Sequence, residues 1–259
     1  MADPATGKPH RGVRRGIYLL PALFTVGNIF CGYLSLDFAL KGSFATAAAL
    51  VFVAAFLDGI DGRVARMTRT TSAFGEQLDS LADVVSFGVA PSFLVYRWGL
   101  ATFDRLGLAV AFLFLVCGAC RLARFNVQVH IVDKRYFVGL PIPASAGTLA
   151  GLIWIFAEHP SEEVRAVFIG VTIVLSFLMV STFRYRSFKD VDLRSRRSAI
   201  LVPIVGLVLA AGLWQPHITF GALLVAYAVS APLTKLLSLR PSARTRPAGD
   251  APPAAPPTA

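Results

Sequence analysis

Charge is scarce in this chain. Only 15% of its 259 residues are Asp, Glu, Lys or Arg, where a soluble domain carries about 25%. Hydrophobic residues make up 55% and mean hydropathy is +0.64. That balance excludes an ordinary water-soluble domain and specifies a polytopic membrane protein. Cysteine is sparse too: Cys31, Cys117 and Cys120 all sit in apolar runs. The last two have C-x2-C spacing, yet no second pair or nearby His completes a zinc site, so packed, reduced thiols are expected. The histidines at 10, 130, 159 and 217 are scattered and form no ligand cluster. There is no short-period repeat and no second soluble domain, and the first apolar run is too long for a signal-peptide core.

What the chain has is apolar length. Eight segments are candidates to cross about 30 Å of hydrocarbon, near residues 17–40, 43–62, 80–98, 104–122, 141–158, 165–182, 199–214 and 217–237. The expected fold is therefore all-α, with a basic segment at 1–16, a six-helix core over 17–190, a C-terminal helix pair at 191–238 and a disordered Pro/Ala-rich tail at 239–259. A net charge of +10 would suit a nucleic-acid binder, but its distribution has another cause. With the N-terminus in the cytoplasm, only Lys41, Arg97, Arg105 and Arg165 of the 25 Lys and Arg fall on the far side. This asymmetry supports both termini inside and a multi-pass protein of the cell's inner membrane, and it requires no nucleic acid. Trp98, Trp154, Trp214 and Tyr18 fall near span ends, as interfacial aromatics do. Asp37 and Lys41, i,i+4 at the outer end of the first helix, read as a surface pair.

Against this background, four carboxylates stand out. They occur as DGIDGRVAR over 58–66 and GEQLDSLAD over 75–83. A charged side chain at a membrane helix centre costs roughly 2.5–3.5 kcal/mol even on the lenient insertion scale. Asp58 and Asp61 are i,i+3, and Asp79 and Asp83 are i,i+4, so each pair projects from one helical face. Gly62 and Ala65 continue the first face, and Gly75 lies one turn before Asp79; small residues there let a ligand lie close to the backbone. The carboxylates require a cationic partner, and their hard oxygens favour Mg²⁺ or Mn²⁺. Two such ions about 4 Å apart can clamp a diphosphate.

The pattern D-x2-D-G-x2-A-R-x8-G-x3-D-x3-D resembles the signature of the CDP-alcohol phosphotransferase family at every specified position. Flanking stretches FGEQLDSLADVVSFGVAP (74–91), RLARFN (121–126), GLPIPA (139–144) and TVGNIFCG (25–32) resemble the membrane-embedded bacterial phosphatidylserine synthases within it. The likeness covers roughly residues 17–190; the last two helices match in hydropathy alone. In one departure, the Asn that often follows the first helix's proline is replaced, since Pro21 precedes Ala22, and Asn28 is a candidate substitute.

The resemblance implies metal ligation by Asp58, Asp61 and Asp79, with Asp83 as general base and further metal contact. It implies close approach of the nucleotide to Gly62, Ala65 and Gly75, and a phosphate at Arg66. The substrates it implies are CDP-diacylglycerol and L-serine, the products phosphatidylserine and CMP, the assembly a homodimer. Arg121, Arg124, Asn126 and Arg184, near the cytoplasmic ends of the fourth and sixth helices, are candidates for the lipid phosphate or the acceptor, because an Arg fork matches either anion; positive-inside anchoring is the competing reading. Glycerol 3-phosphate or an inositol phosphate stays open as acceptor. A cation-coupled transporter is a rival from another class, expected to carry mid-span carboxylates and two related halves.

Overall fold

The computed structural model describes residues 11–68, 72–128, 136–157, 161–186, 206 and 210–238. The chain is an all-α bundle. Helix α1 runs Arg11–Leu40 and α2 Phe44–Thr68; α3, Ala73–Asp83, continues through a π-helical turn at Val84–Val89 into α4, Ala90–Trp98. A 3₁₀ turn, Leu100–Phe103, leads to α5, Asp104–Gln128; α6 is Ile142–Ile155, α7 Glu162–Val180 and α8 Pro216–Ser238. Among the described residues, six continuous helices are long and apolar enough to cross a membrane, the α3–α4 rod counting as one over Ala73–Trp98. Helix α6, at 14 residues, is shorter. The segment expected at 199–214 falls mainly outside the described residues.

Local chemistry explains the boundaries. Ser72 caps α3, its hydroxyl accepting from the Gly75 N–H at 3.0 Å, and Ser161 caps α7 by accepting from Val164 N–H. Each satisfies one of the N–H groups that a helix start leaves orphaned. α3 thus begins well before residue 80, where apolarity alone would start the span. The π turn has a neighbouring cause. Pro91 lacks an N–H and its ring crowds the carbonyl four residues back; in the widened turn just before it, Ala90 N–H bonds to Val85 O. The rod passes the proline without breaking.

Small residues set the packing. α1 and α2 form a close hairpin through buried Ala39, Ala47, Ala48 and Ala54, with Ser35 Oγ donating to Ala47 O at 2.9 Å. α6 is the central helix, buried along most of its length, and Gly151 and Gly221 bring α6 and α8 nearly into backbone contact. Phe87, Leu94, Phe114, Leu149 and Met179 fill the space around it. Phe30, Phe56, Phe112 and Phe177 point outward, as residues facing lipid do.

Trp98 is a correction to the interfacial reading. It is buried, its Nε1–H donates to Phe156 O at 3.3 Å, and it packs on Phe168 with ring centroids 4.4 Å apart. A buried indole needs an acceptor, and the last carbonyls of a helix lack an intrahelical donor. Cys31 and Cys117 are buried free thiols, whereas Cys120 is exposed. Lys41 pairs with Asp37 on the surface as expected. The sequence reading contained no strands, yet β1, Tyr136–Val138, and β2, Arg184–Arg186, form one short antiparallel ribbon. Gly139 follows it with φ +82°, and a Cβ there would lie 2.3 Å from Met179 O.

The tightest contact between α1 and the π turn lies at Gly32. A Cβ there would meet Ser86 Oγ at 2.6 Å and Ser86 Cα at 2.9 Å. Gly32→Ala is expected to lower the thermal midpoint in detergent by about 5 °C, since overpacking typically costs about 1–3 kcal/mol. A midpoint at or above wild type would show that the two helices separate freely.

Candidate active site

The second half of α2 and the last turns of α3 bring the carboxylates together. One oxygen each from Asp58, Asp61 and Asp79 lies within 4.8 Å of the others. Asp61 is buried, 4% exposed, and accepts the Thr25 hydroxyl from α1 at 3.1 Å. Asp83 joins from the next turn of α3, its carboxyl within hydrogen-bonding reach of Asp58. Four acidic groups thus share one small volume, three of them forming the closest cluster.

Asp79 Oδ1 and Asp83 Oδ1 are buried with no hydrogen-bond partner. Leaving a charged oxygen buried and unpaired is costly. Converging carboxylates with orphaned oxygens fit a divalent cation, which wants several hard oxygen donors at once. The donor set agrees with the ions expected from the sequence.

Other expected residues divide clearly. Asn28, one turn after Thr25 on α1, is fully buried, and both its side-chain amide atoms lack partners. Its backbone carbonyl accepts the Ser86 hydroxyl at 2.9 Å, which ties α1 to the π turn directly after Asp83. Gly75 sits in the capped first turn of α3, where a Cβ would be 3.1 Å from Ser72 Oγ. Gly62 is half-buried on α2, between Asp61 and the end of the helix. The side chains of Ala65, Arg66 and Arg184 lie outside the described residues; the backbone of Arg184 pairs with Val138 in the ribbon.

On α5, the residues of RLARFN take three different roles. Arg121 is buried, 8% exposed, within electrostatic reach of Asp83, with its guanidinium 5.3 Å above the Phe125 ring. Arg124 instead donates from Nη1 to Val180 O at 2.9 Å, fastening α5 to the end of α7. Asn126 donates from Nδ2 to Ser80 Oγ at 3.0 Å, fastening α5 to the carboxylate helix. Only Arg121 of these three reaches the acidic cluster. Sequence reasoning gave Thr25, Ser80 and Ser86 no role; the i,i+3 spacing of Thr25 and Asn28 was the available signal.

A profile of the CDP-alcohol phosphatidyltransferases matches residues 18–179, the stretch that contains every carboxylate of the cluster. The chain belongs to the CDP-alcohol phosphatidyltransferase family. It is a membrane-embedded transferase of phospholipid biosynthesis. It is similar to the CDP-diacylglycerol–serine O-phosphatidyltransferase of Helicobacter pylori, 41% identical over 81% of this chain and 89% of that protein. Proteins of the same name from Methanocaldococcus jannaschii, 38% identical over 68% of this chain and 78% of theirs, and Bacillus subtilis, 37% identical over 66% and 91%, are similar as well. β2 and α8 lie beyond the matched stretch.

Proposed function

We propose that the protein transfers the phosphatidyl group of CDP-diacylglycerol to the hydroxyl of L-serine, giving phosphatidylserine and CMP. The observation that carries this reading is the convergence of Asp58, Asp61 and Asp79 with Asp83 and Arg121 beside them. The names of the similar proteins point the same way. Asp58, Asp61 and Asp79, with Asp83 adjoining, would hold two Mg²⁺ or Mn²⁺ ions. Bound there, such ions supply neutralisation of diphosphate charge.

The protein's own groups do the rest. Asp83 takes the proton of the serine hydroxyl, the serine oxygen forms a bond to the lipid-side phosphorus, and the diphosphate P–O bond breaks to release CMP. Arg121, beside Asp83, receives the serine carboxylate, so that the hydroxyl is presented to the base. Gly62, Ala65 and Gly75 leave room for the nucleotide against the backbone; Asn28 offers it an unpaired buried amide, and Arg66 a phosphate contact. The distribution of basic residues supports a site at the cytoplasmic face of the inner membrane, where a water-soluble acceptor meets a lipid donor.

Arg124 bears on the choice of acceptor. The Arg124 guanidinium is fastened to Val180 O, so of the two arginines in RLARFN only Arg121 is within electrostatic reach of the cluster. One guanidinium fork suits a carboxylate, while a phosphorylated acceptor calls for more positive charge. Purified protein with CDP-diacylglycerol should therefore release CMP with serine at least about a hundredfold faster than with glycerol 3-phosphate or an inositol phosphate. Faster release with a phosphorylated alcohol would replace serine in this reading while leaving the phosphatidyl transfer intact.

A further inference from the structure

Asp61 is the buried member of the three-carboxylate cluster, while Asp58 and Asp79 are half-buried. The group that bonds to it, Thr25, comes from a different helix, 36 residues earlier in the chain, and is itself buried. An ionised carboxylate only accepts, so in this 3.1 Å contact the Thr25 hydroxyl is the donor and Asp61 Oδ2 the acceptor. The donor is firmly mounted. Thr25, Asn28, Gly32 and Ser35 recur at helical spacing along the buried face of α1. Beyond Thr25, each of them meets a neighbour at close range: Asn28 O accepts the Ser86 hydroxyl, Gly32 lies against Ser86, and Ser35 donates to Ala47 O of α2. That face of α1 is thereby held against both α2 and the π turn that follows Asp83. A carboxylate turns easily about its last torsion, which is broad and roughly two-fold, whereas the β-branched Thr side chain is stiff at χ1. A stiff donor holding one oxygen of a loose acceptor fixes the plane of that acceptor, and burial limits competition from water.

We propose that Thr25 is a positioning residue for metal binding: its hydroxyl fixes the Asp61 carboxylate in the orientation that, together with Asp58 and Asp79, receives a divalent cation. The proposal rests on the reading that this cluster holds Mg²⁺ or Mn²⁺. Without the hydroxyl, the Asp61 carboxylate would have to be ordered when the cation arrives, and that ordering would be taken from the binding free energy. Groups that hold a metal ligand in place through a hydrogen bond typically account for about 10- to 100-fold in metal affinity. The first helix, which carries none of the four site carboxylates, then helps to set how tightly they bind a cation.

The test follows thermal unfolding of the purified protein in detergent while Mg²⁺ alone is titrated, with no substrate present. Thr25→Val keeps the branched shape and removes the hydroxyl. The Mg²⁺ concentration that gives half of the full stabilisation should rise at least about tenfold in this variant. Its midpoint without metal should stay within about 3 °C of wild type, the scale of one lost hydrogen bond. Thr25→Ala should show the same rise in Mg²⁺ requirement, and it decides the matter where the Val variant does not fold. Thr25→Ser, which keeps the donor, should stay within about threefold of wild type. A wild-type Mg²⁺ requirement in the Val or Ala variant overturns the inference and leaves the cation reading standing. A rise in Thr25→Ser as large as that in Thr25→Val would trace the effect to side-chain shape instead of the hydroxyl, and also overturn it. A lowered metal-free midpoint in all three variants, with an unchanged Mg²⁺ requirement, would make Thr25 a packing residue and overturn it too. Wild type that neither Mg²⁺ nor Mn²⁺ stabilises overturns both readings together.

Discussion

Asp58→Asn and Asp79→Asn are each expected to lower serine-dependent CMP release by at least about a thousandfold. The substitution keeps size and shape while removing one negative charge from a cluster whose oxygens lie within 4.8 Å of one another. An amide oxygen remains a donor atom but no longer offsets cationic charge, and several kcal/mol of transition-state stabilisation disappear, at 1.36 kcal/mol per factor of ten. The fold should survive, because removing one of four crowded carboxylates relieves repulsion. Thermal unfolding makes the separation: wild type should gain stability when Mg²⁺ or Mn²⁺ is added and lose it with chelator, whereas both Asn variants should be indifferent. Near-normal turnover by either variant would remove the cluster from the reaction.

Asp83→Asn should separate base from ligand. In the proposed mechanism Asp83 accepts the acceptor's proton and contributes through the transition state, so kcat should fall by about 10²- to 10⁴-fold. Donor binding is expected to change little, with the KM for CDP-diacylglycerol within about twofold. The expectation follows from position: Asp83 lies outside the closest three-carboxylate group, within hydrogen-bonding reach of Asp58 and electrostatic reach of Arg121. If the donor KM rises in step with the loss of kcat, Asp83 is chiefly a ligand and the proton goes elsewhere.

Much of the site was legible because its residues are close in the chain. Asp58, Asp61, Asp79 and Asp83 belong to two consecutive helices, and helical periodicity puts each pair on one face without tertiary information. The spans were legible for the same reason: apolar length is a local property. What failed to show were contacts between distant segments. RLARFN presents two arginines three positions apart that look equivalent as sequence, yet Arg121 turns to Asp83 while Arg124 binds the end of α7. Trp98 sits where an interfacial indole would, and only the proximity of Phe156 and Phe168 takes it inside. The ribbon joins residues on either side of α6 and α7, with no strand longer than three residues. No alternation of side chains over so short a stretch marks a strand.

The carboxylates lie in the second half of α2 and the last turns of α3, on either side of the short link between these helices. In the proposed orientation, with the site at the cytoplasmic face, the two helices can enter the bilayer one after the other while the aspartates stay behind. None of the four must be carried through hydrocarbon at any stage of biogenesis, and no translocation step has to bear the cost of moving them. Had the same residues sat at the opposite ends of the same helices, every nascent chain would have had to drag its acidic centre across the membrane before it could fold.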